Sequence, residues 1–370
     1  MKTIVINATA ITSSGSLTIL KDFINYVLQL ESYSYYFILF TGTKSVFETQ
    51  KNLRVFERKK QNWRTRIVWD KKGLQKFCEK KGIVPDILIS FQNTCSRFTG
   101  KYKNIKQFVY FHNVLPLEDY HWNPFDKQER ILFLYRHLYG FFVNRWNNNA
   151  DYVVQLQYVK EKFCNKFRHI NSANIHVIRP NLPKINIETI EKKELFEGKK
   201  IFIYPATPFE YKNHKVIIDA VQLLKKDNEL LDNLLIIFTV SKDSMVAYEV
   251  SKSGLEDLIN CIGSVPYKEL LTYYKRCDAL LFPSKIESFG LPLVEAAMFG
   301  VPIIAADLPY AREVLEDYEG VNFADVNNSE IWAEQIKLFL KTDKKYKKLT
   351  QKVPSTWKEF VGVMNSLLQK

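Results

Sequence analysis

Cysteine is scarce in this chain of 370 residues, and the few that occur do not organise. Cys78, Cys95, Cys164, Cys261 and Cys277 are odd in number and form no C-x-x-C pair, which suggests neither a disulfide framework nor a zinc site. They read as small buried hydrophobes. No run of about 18 apolar residues occurs, so no membrane-spanning helix is expected. The apolar start at residues 2–7 is broken by Asn7 too early for a signal peptide. A soluble or peripheral cytoplasmic protein is the expectation. Low-complexity tracts and repeats of solenoid period are also missing, as is any D-x-D triplet.

Acidic residues are sparse in the first half. Residues 1–185 hold 29 Lys and Arg against 13 Asp and Glu, whereas the remainder holds 24 against 27. A basic half suits nucleic acid, an anionic membrane or a phosphorylated substrate. Its densest part, residues 54–66 followed by Lys71, Lys72, Lys80 and Lys81, lacks the aromatic interleaving of RNA modules and any helix-turn-helix or zinc pattern. Membrane surface is therefore favoured over nucleic acid, with a merely solvated basic face as the plain alternative.

What is present is ample apolar content, 46%, enough for two cores. Strand-like runs at 2–7, 35–40, 86–90, 106–111 and 151–155 alternate with helical patterns such as 17–30 and 128–146. The second half repeats this, with strands near 200–204, 233–239, 278–282 and 302–305 and helices near 213–226, 267–276 and 291–299. Two doubly wound α/β domains are expected. Residues 178–186, with two prolines and no periodicity, suit a linker, so the boundary is placed near 183. The expected division is 1–182, 183–350 and a C-terminal piece, 351–370. Within that piece, residues 355–368 read as an amphipathic helix. Periodicity leaves open which domain this helix covers.

The segment ESFGLPLVE, residues 287–295, sits between a buried strand and an Ala-rich helix that ends on Gly300. A helix entered through Gly290-Leu291-Pro292 exposes backbone N–H donors suited to phosphate. Glu287 lies just before that turn and Glu295 about one helical turn inside it. Carboxylates repel phosphate, so they suit hydroxyls on either side of it. A sugar nucleotide fits this layout.

The segment resembles the E-x7-E motif of retaining glycosyltransferases of the family 4 type, which have the GT-B fold: two Rossmann-like doubly wound domains facing a central cleft, with the C-terminal helix, here within 351–370, expected to pack back on the N-terminal domain. Carried over, the resemblance implies Glu287 for the donor sugar, Glu295 for the ribose, and the amides of Phe289, Gly290 and Leu291 for the diphosphate. It implies Lys212, at the start of the first helix of the second domain, for the same diphosphate. Where family members also carry an arginine, this chain has Ala206 and Thr207, leaving Lys285 or Lys215 as substitutes. Val265 and Pro266 look like the loop that edges the base. In the first domain, His112 matches a histidine that contacts donor or acceptor, or else is a structural hydrogen bonder. Gly15 and Ser16, in the loop 12–16, correspond to an acceptor-side loop, the serines also being suited to helix capping. The aromatic and basic stretch 129–146 fits either core packing or contact with a bilayer or lipid-linked acceptor.

The resemblance implies an enzyme, a retaining hexosyltransferase. It would move sugar from a nucleotide-diphosphate donor to a saccharide, lipid-linked acceptor included, in building bacterial capsule or O-antigen. Without D-x-D, no metal cofactor is expected. Nucleic acid is not an expected partner; peripheral contact with an anionic membrane is. The rival readings are a GT-B sugar-nucleotide epimerase or hydrolase, and a basic nucleic-acid-binding protein.

Overall fold

The computed structural model of the chain describes residues 1–11, 14–30, 35–43, 46–58, 62–120, 122–125, 129–143, 145–146, 150–181, 185–190, 196, 198–226, 231–342, 345–350 and 356–369. The chain forms two compact units, Met1–Asn181 with Val353–Lys370, and Leu182–Lys352. The boundary expected near residue 183 lies outside the described residues.

The first unit holds a seven-stranded parallel sheet. Its strands are β1 (Lys2–Ala8), β2 (Tyr35–Thr41), β3 (Leu53–Glu57), β4 (Ile87–Ser90), β5 (Lys106–Phe111), β6 (Asp151–Val154) and β7 (Ile175–Val177), in the order β3-β2-β1-β4-β5-β6-β7. Ile4 lies opposite Phe37 on one side and Ile87 on the other. Because helices cover both faces of a parallel sheet, its inner strands are apolar runs with no polar face, and Ile4, Val5 and Ile6 are all buried.

The second unit repeats the plan with β8 (Lys200–Tyr204), β9 (Leu234–Phe238), β10 (Ile259–Cys261), β11 (Ala279–Phe282), β12 (Ile303–Ala306) and β13 (Val321–Ala324), ordered β10-β9-β8-β11-β12-β13. The helix His214–Lys226 buries Val216, Ile217, Ala220, Val221 and Leu224, a stripe at spacings of three and four, and packs beside the helix Ser329–Leu340. Asn328 starts the latter, its side-chain oxygen accepting from the Glu330 and Ile331 amides at 3.1 and 3.2 Å. Both units are thus the two doubly wound sheets expected. Each sheet reverses its strand order between its first and fourth strands.

The helix expected at 128–146 is present in its described part as one continuous helical run, Arg130–Leu134, a wider π turn Tyr135–Tyr139 and Gly140–Phe142. Four strands were missed, β3, β7, β10 and β13, and all four lie at sheet edges. The basic stretch 54–66, treated as a charged surface, contains most of β3 and the start of the helix Trp63–Val68.

The C-terminal helix Thr356–Gln369 belongs to the first unit. Trp357 and Phe360 are fully buried; the Phe360 ring lies 4.6 Å from Phe108, and Trp357 lies 5.0 Å from Phe23. One carboxylate fixes the junction: Asp22 Oδ2 accepts from the Trp357 indole at 2.6 Å and from Asn181 Nδ2 at 2.9 Å. Asn181 in turn accepts from the Thr356 amide and hydroxyl, both at 2.8 Å. Among the described residues no helix is long and apolar enough to cross a membrane. Trp357→Ala removes a buried aromatic and one of the donors to Asp22. It is expected to destabilise the first unit by about 3–5 kcal/mol, read as a lower urea midpoint; a change below about 1 kcal/mol would mean the helix is not anchored there.

Candidate functional site

In an open α/β sheet, ligands settle beyond the strand C-termini where the strand order reverses. In the second unit that point lies between β8 and β11, and the two loops leaving these strands hold the residues singled out in the sequence. The first loop ends in the turn Glu210–Lys212 and the second runs from Pro283 to Gly290. They are stitched together. The Lys285 amide donates to the Tyr211 carbonyl at 2.8 Å, and Asn213 Nδ2 donates to the carbonyls of Pro283 at 3.3 Å and Val326 at 2.7 Å. Asn213 adopts a left-handed conformation, φ 59°, which its short polar side chain tolerates. From below, the buried Tyr204 hydroxyl donates to the Lys212 carbonyl at 2.6 Å.

This stitching brings Lys212 and Glu287 into contact. Lys212 Nζ lies 2.5 Å from Glu287 Oε1, both side chains being 15% exposed. Lys212 is thus paired with the first glutamate of the motif. The suggested substitute Lys215 is turned elsewhere: it pairs with Asp219 at 2.8 Å on the exposed surface of its own helix. Beside Lys212, the His214 ring is buried against Tyr204 at 4.7 Å and Phe238 at 5.0 Å. Burial, helped by the Lys212 charge, pushes its pKa down to about 3, so the ring is neutral.

After Glu287 the chain passes Phe289, which is buried, and turns into the helix Leu291–Met298 at Gly290. Gly290 has φ 84°, and a Cβ there would approach Leu293 Cδ1 to 3.2 Å, so the turn requires glycine. No side-chain hydrogen bond caps this helix start, where Pro292 has no N–H and the Leu293 amide donates to the Gly290 carbonyl at 2.9 Å. The loop is held by Tyr310, whose hydroxyl donates to the Ser284 carbonyl at 2.6 Å, and by Ser284 Oγ, which donates to the Ile286 carbonyl at 3.2 Å.

Glu295 is 4% exposed, and its Oε2 accepts from the Tyr274 hydroxyl at 3.1 Å. Burial raises its pKa to about 7, with hydrogen bonds from Tyr274 and Tyr267 drawing it back. Tyr267 and Tyr274 sit on the helix Tyr267–Arg276, which starts at Pro266; Val265 and Pro266 thus belong to the segment that carries the partners of Glu295. The sequence reading missed both tyrosines, although the spacing of seven in YKELLTYY puts them on one helix face.

His112, Gly15 and Ser16 are in the first unit. His112 follows β5, its backbone amide donating to Asn93 Oδ1 at 2.5 Å. Burial pushes its imidazole down to about 4, so it too is neutral. Gly15 and Ser16 are not loop residues: they form the first turn of the helix Ser14–Val27, while residues 12 and 13 lie outside the described ones. Among the described residues no group of His, Cys, Asp or Glu is arranged to hold a metal ion.

Residues 186–356 match the family described as Glycosyl transferases group 1. The match takes in somewhat under half of the chain and includes β8, β11 and the loops that leave them. Over 210 residues the chain is 24% identical to the O-antigen chain mannosyltransferase RfbU of Salmonella typhimurium, covering 55% of each protein. The chain spans about half or less of the length of the curated relatives it matches. Among solved structures it resembles WaaG, a glycosyltransferase involved in lipopolysaccharide biosynthesis (TM-score 0.65, 12% identity, 92% of this chain and 90% of that one). It also resembles HepE of Anabaena in complex with UDP and glucose (TM-score 0.62, 15% identity, again 92% and 90%). These likenesses concern the fold, which is that of GT-B glycosyltransferases.

The state of Glu295 is testable through pH. Its folded-state pKa, about 7, lies above its ordinary 4.5, so folding favours the protonated carboxyl. That contribution is complete below about pH 4.5 and is lost as pH rises through about 7. Glu295→Gln keeps the neutral shape and is expected to gain stability relative to wild type between pH 5 and pH 8, by up to about 3 kcal/mol. Urea melts across that range check it; a difference independent of pH would mean that Glu295 titrates as an ordinary carboxyl.

Proposed function

We propose that the chain is a retaining, family 4-type glycosyltransferase that moves a hexose from a nucleotide-diphosphate sugar to a saccharide acceptor in bacterial surface-polysaccharide synthesis. One observation carries the reading: the Lys212–Glu287 pair stands at the strand-order reversal of the unit that matches the glycosyl transferases group 1 family, beside a helix start that no side chain caps. A donor offers both partners a replacement. Its diphosphate takes Lys212 and the amides of Phe289, Gly290 and Leu291, and its sugar hydroxyls donate to Glu287. Glu295 accepts from the ribose, and Val265 and Pro266 edge the base. The names of the relatives bring mannose and glucose forward as the sugar.

The chemistry asked of these residues is mainly electrostatic. As the bond from the sugar to the diphosphate lengthens, negative charge grows on the phosphate oxygens, and Lys212 with the helix amides stabilises it. Glu287 orients the ring, and the departing phosphate oxygen takes the acceptor proton. His112, being neutral, is suited to a hydrogen bond with donor or acceptor, and Gly15 and Ser16 to the acceptor side. Because Lys212 and the amides take the diphosphate charge, and the chain has no D-x-D, we read the reaction as metal-independent.

Glu287→Ala is expected to lower turnover by about 100-fold or more. Glu295→Ala should weaken donor binding by about tenfold or more with a smaller effect on turnover. The assay is transfer from UDP- and GDP-hexoses, with EDTA leaving the wild-type rate unchanged. Wild-type activity in both variants would sink the reading, and donor consumption at full rate without any saccharide would favour a hydrolase or epimerase.

The acceptor is read as lipid-linked and the protein as peripheral on the cytoplasmic face of the membrane. In support, the basic first half exposes Phe125, Ile131 and Phe141 in the same stretch as Arg130, Arg136 and Arg145. Vesicles containing phosphatidylglycerol should co-float the protein and neutral phosphatidylcholine vesicles should not, with Phe141→Asp reducing the bound fraction. Equal recovery with both vesicles would count against membrane attachment.

A further inference from the structure

Asn213 occupies a position that glycine fills more easily. Its φ of 59° and ψ of 37° lie in the left-handed region, which glycine adopts without strain, and the residue is 8% exposed. An asparagine tolerates the same turn and adds a side-chain donor that glycine lacks. That donor is in use. Nδ2 donates to the Pro283 carbonyl at 3.3 Å, in the loop after β11, and to the Val326 carbonyl at 2.7 Å, between β13 and the helix Ser329–Leu340. The backbone of Asn213 serves its own loop: its amide donates to the Glu210 carbonyl at 2.8 Å, and its carbonyl accepts from the Val216 amide at 3.3 Å. One residue therefore ties together the loops that leave β8, β11 and β13.

Lys212 sits in the middle of this arrangement. The Tyr211 carbonyl accepts from the Lys285 amide at 2.8 Å, the Lys212 carbonyl from the Tyr204 hydroxyl at 2.6 Å, and Asn213 follows with its two side-chain bonds. Three consecutive residues are thus held. Two of these ties, Lys285 to Tyr211 and Asn213 to Pro283, join the loop that carries Lys212 to the loop that carries Glu287. The first is made by backbone atoms alone, whereas the second depends on a side chain. A lysine is a point charge on a flexible stem, so its contact with Glu287 at 2.5 Å requires the two loops at a fixed separation.

The first unit repeats the device. Asn93, after β4, has φ 61°, and its Oδ1 accepts from the amides of His112 and Asn113, after β5, at 2.5 and 3.1 Å. Among the described residues three that are not glycine have positive φ, and two of them are these asparagines, each binding the loop of a neighbouring strand. The repetition argues that the side-chain amide, and not the turn alone, is what the position requires.

We propose that Asn213 is a positioning residue: its side-chain amide sets the separation of the β8 and β11 loops and so holds Lys212 and Glu287 at the spacing that sugar transfer requires. The inference rests on the glycosyltransferase reading for its effect on turnover, but not for its effect on the ion pair.

The test compares Asn213→Gly, which keeps the left-handed turn and removes the donor, with Asn213→Asp, which keeps the size and turns an acceptor toward two carbonyls; circular dichroism confirms that each is folded. By NMR, the ammonium proton–nitrogen correlation of Lys212, slowed in exchange by its pairing, is expected in the wild type and lost in Glu287→Ala and in both Asn213 variants. In transfer from UDP- or GDP-hexoses, Asn213→Gly should lower kcat by about tenfold, the cost of a slightly misplaced group, with donor KM unchanged. In a Lys212→Ala background the same substitution should cost nothing further, since it acts through Lys212; a residue serving only the fold would lower the rate by the same factor in both backgrounds. A Lys212 signal retained in both Asn213 variants, an unchanged kcat, or equal factors in the two backgrounds would overturn the proposal. If Lys212→Ala slows transfer and Asn213→Gly does not, the positioning inference fails alone. If the wild type transfers no sugar while the Lys212 signal behaves as described, the transferase reading fails and the hold of Asn213 on the ion pair stands.

Discussion

Everything functional in this protein depends on the parallelism of its two sheets. Parallel neighbours cannot be joined by tight hairpins, so every strand is followed by a crossover and all strand C-termini lie along one edge. The order of the strands then decides which loops meet. In each sheet the chain winds outward from its first strand and then returns to the other side of it, so the first and fourth strands are neighbours whose loops leave on opposite faces. The space between those loops is where a ligand can sit without displacing a helix. In one unit it is filled by a lysine and a glutamate in contact, and in the other by Asp70 and Arg66 under aromatic walls.

Much of this was legible in the sequence because inner strands of a parallel sheet have no polar face. Ile87–Ser90 and Leu234–Phe238 read as continuous apolar runs and were located within a residue or so. The four strands that escaped, Leu53–Glu57, Ile175–Val177, Ile259–Cys261 and Val321–Ala324, have a neighbour on one side only. They are short and carry polar residues such as Arg54, His176 and Asn322, which an edge tolerates and an interior strand does not. The glutamates at 287 and 295 could be found by spacing alone, since both lie on one strand-turn-helix. Their partners could not. Lys212 stands 75 residues before Glu287, and Tyr274 belongs to a different helix from Glu295. Asp70, which accepts from Asn7 and Thr94, failed to show for the same reason, since the three lie on separate elements.

The ionisable groups around the two sites share a pattern set by burial. His112 and His214 are driven neutral, while Asp70 and Glu295 are held with raised pKa values by the same desolvation, countered in part by hydroxyl and amide donors. Lys212 and Glu287, each partly open to solvent, escape isolation by pairing with one another. The paired charges have specific partners, and the buried histidines are kept uncharged.

The first unit is assembled from two stretches of chain separated by the whole of the second, Leu182–Lys352. During synthesis its seven strands emerge early, yet the helix that seals Phe23, Phe108 and Tyr110 is the last described segment of the chain to leave the ribosome. At about 5–20 residues per second, the intervening unit delays it by roughly 10–30 s. For that interval the aromatic face around Phe23 stands uncovered while the second unit folds to completion. The core of the first unit therefore closes only after the whole of the second unit, Leu182–Lys352, has been synthesised.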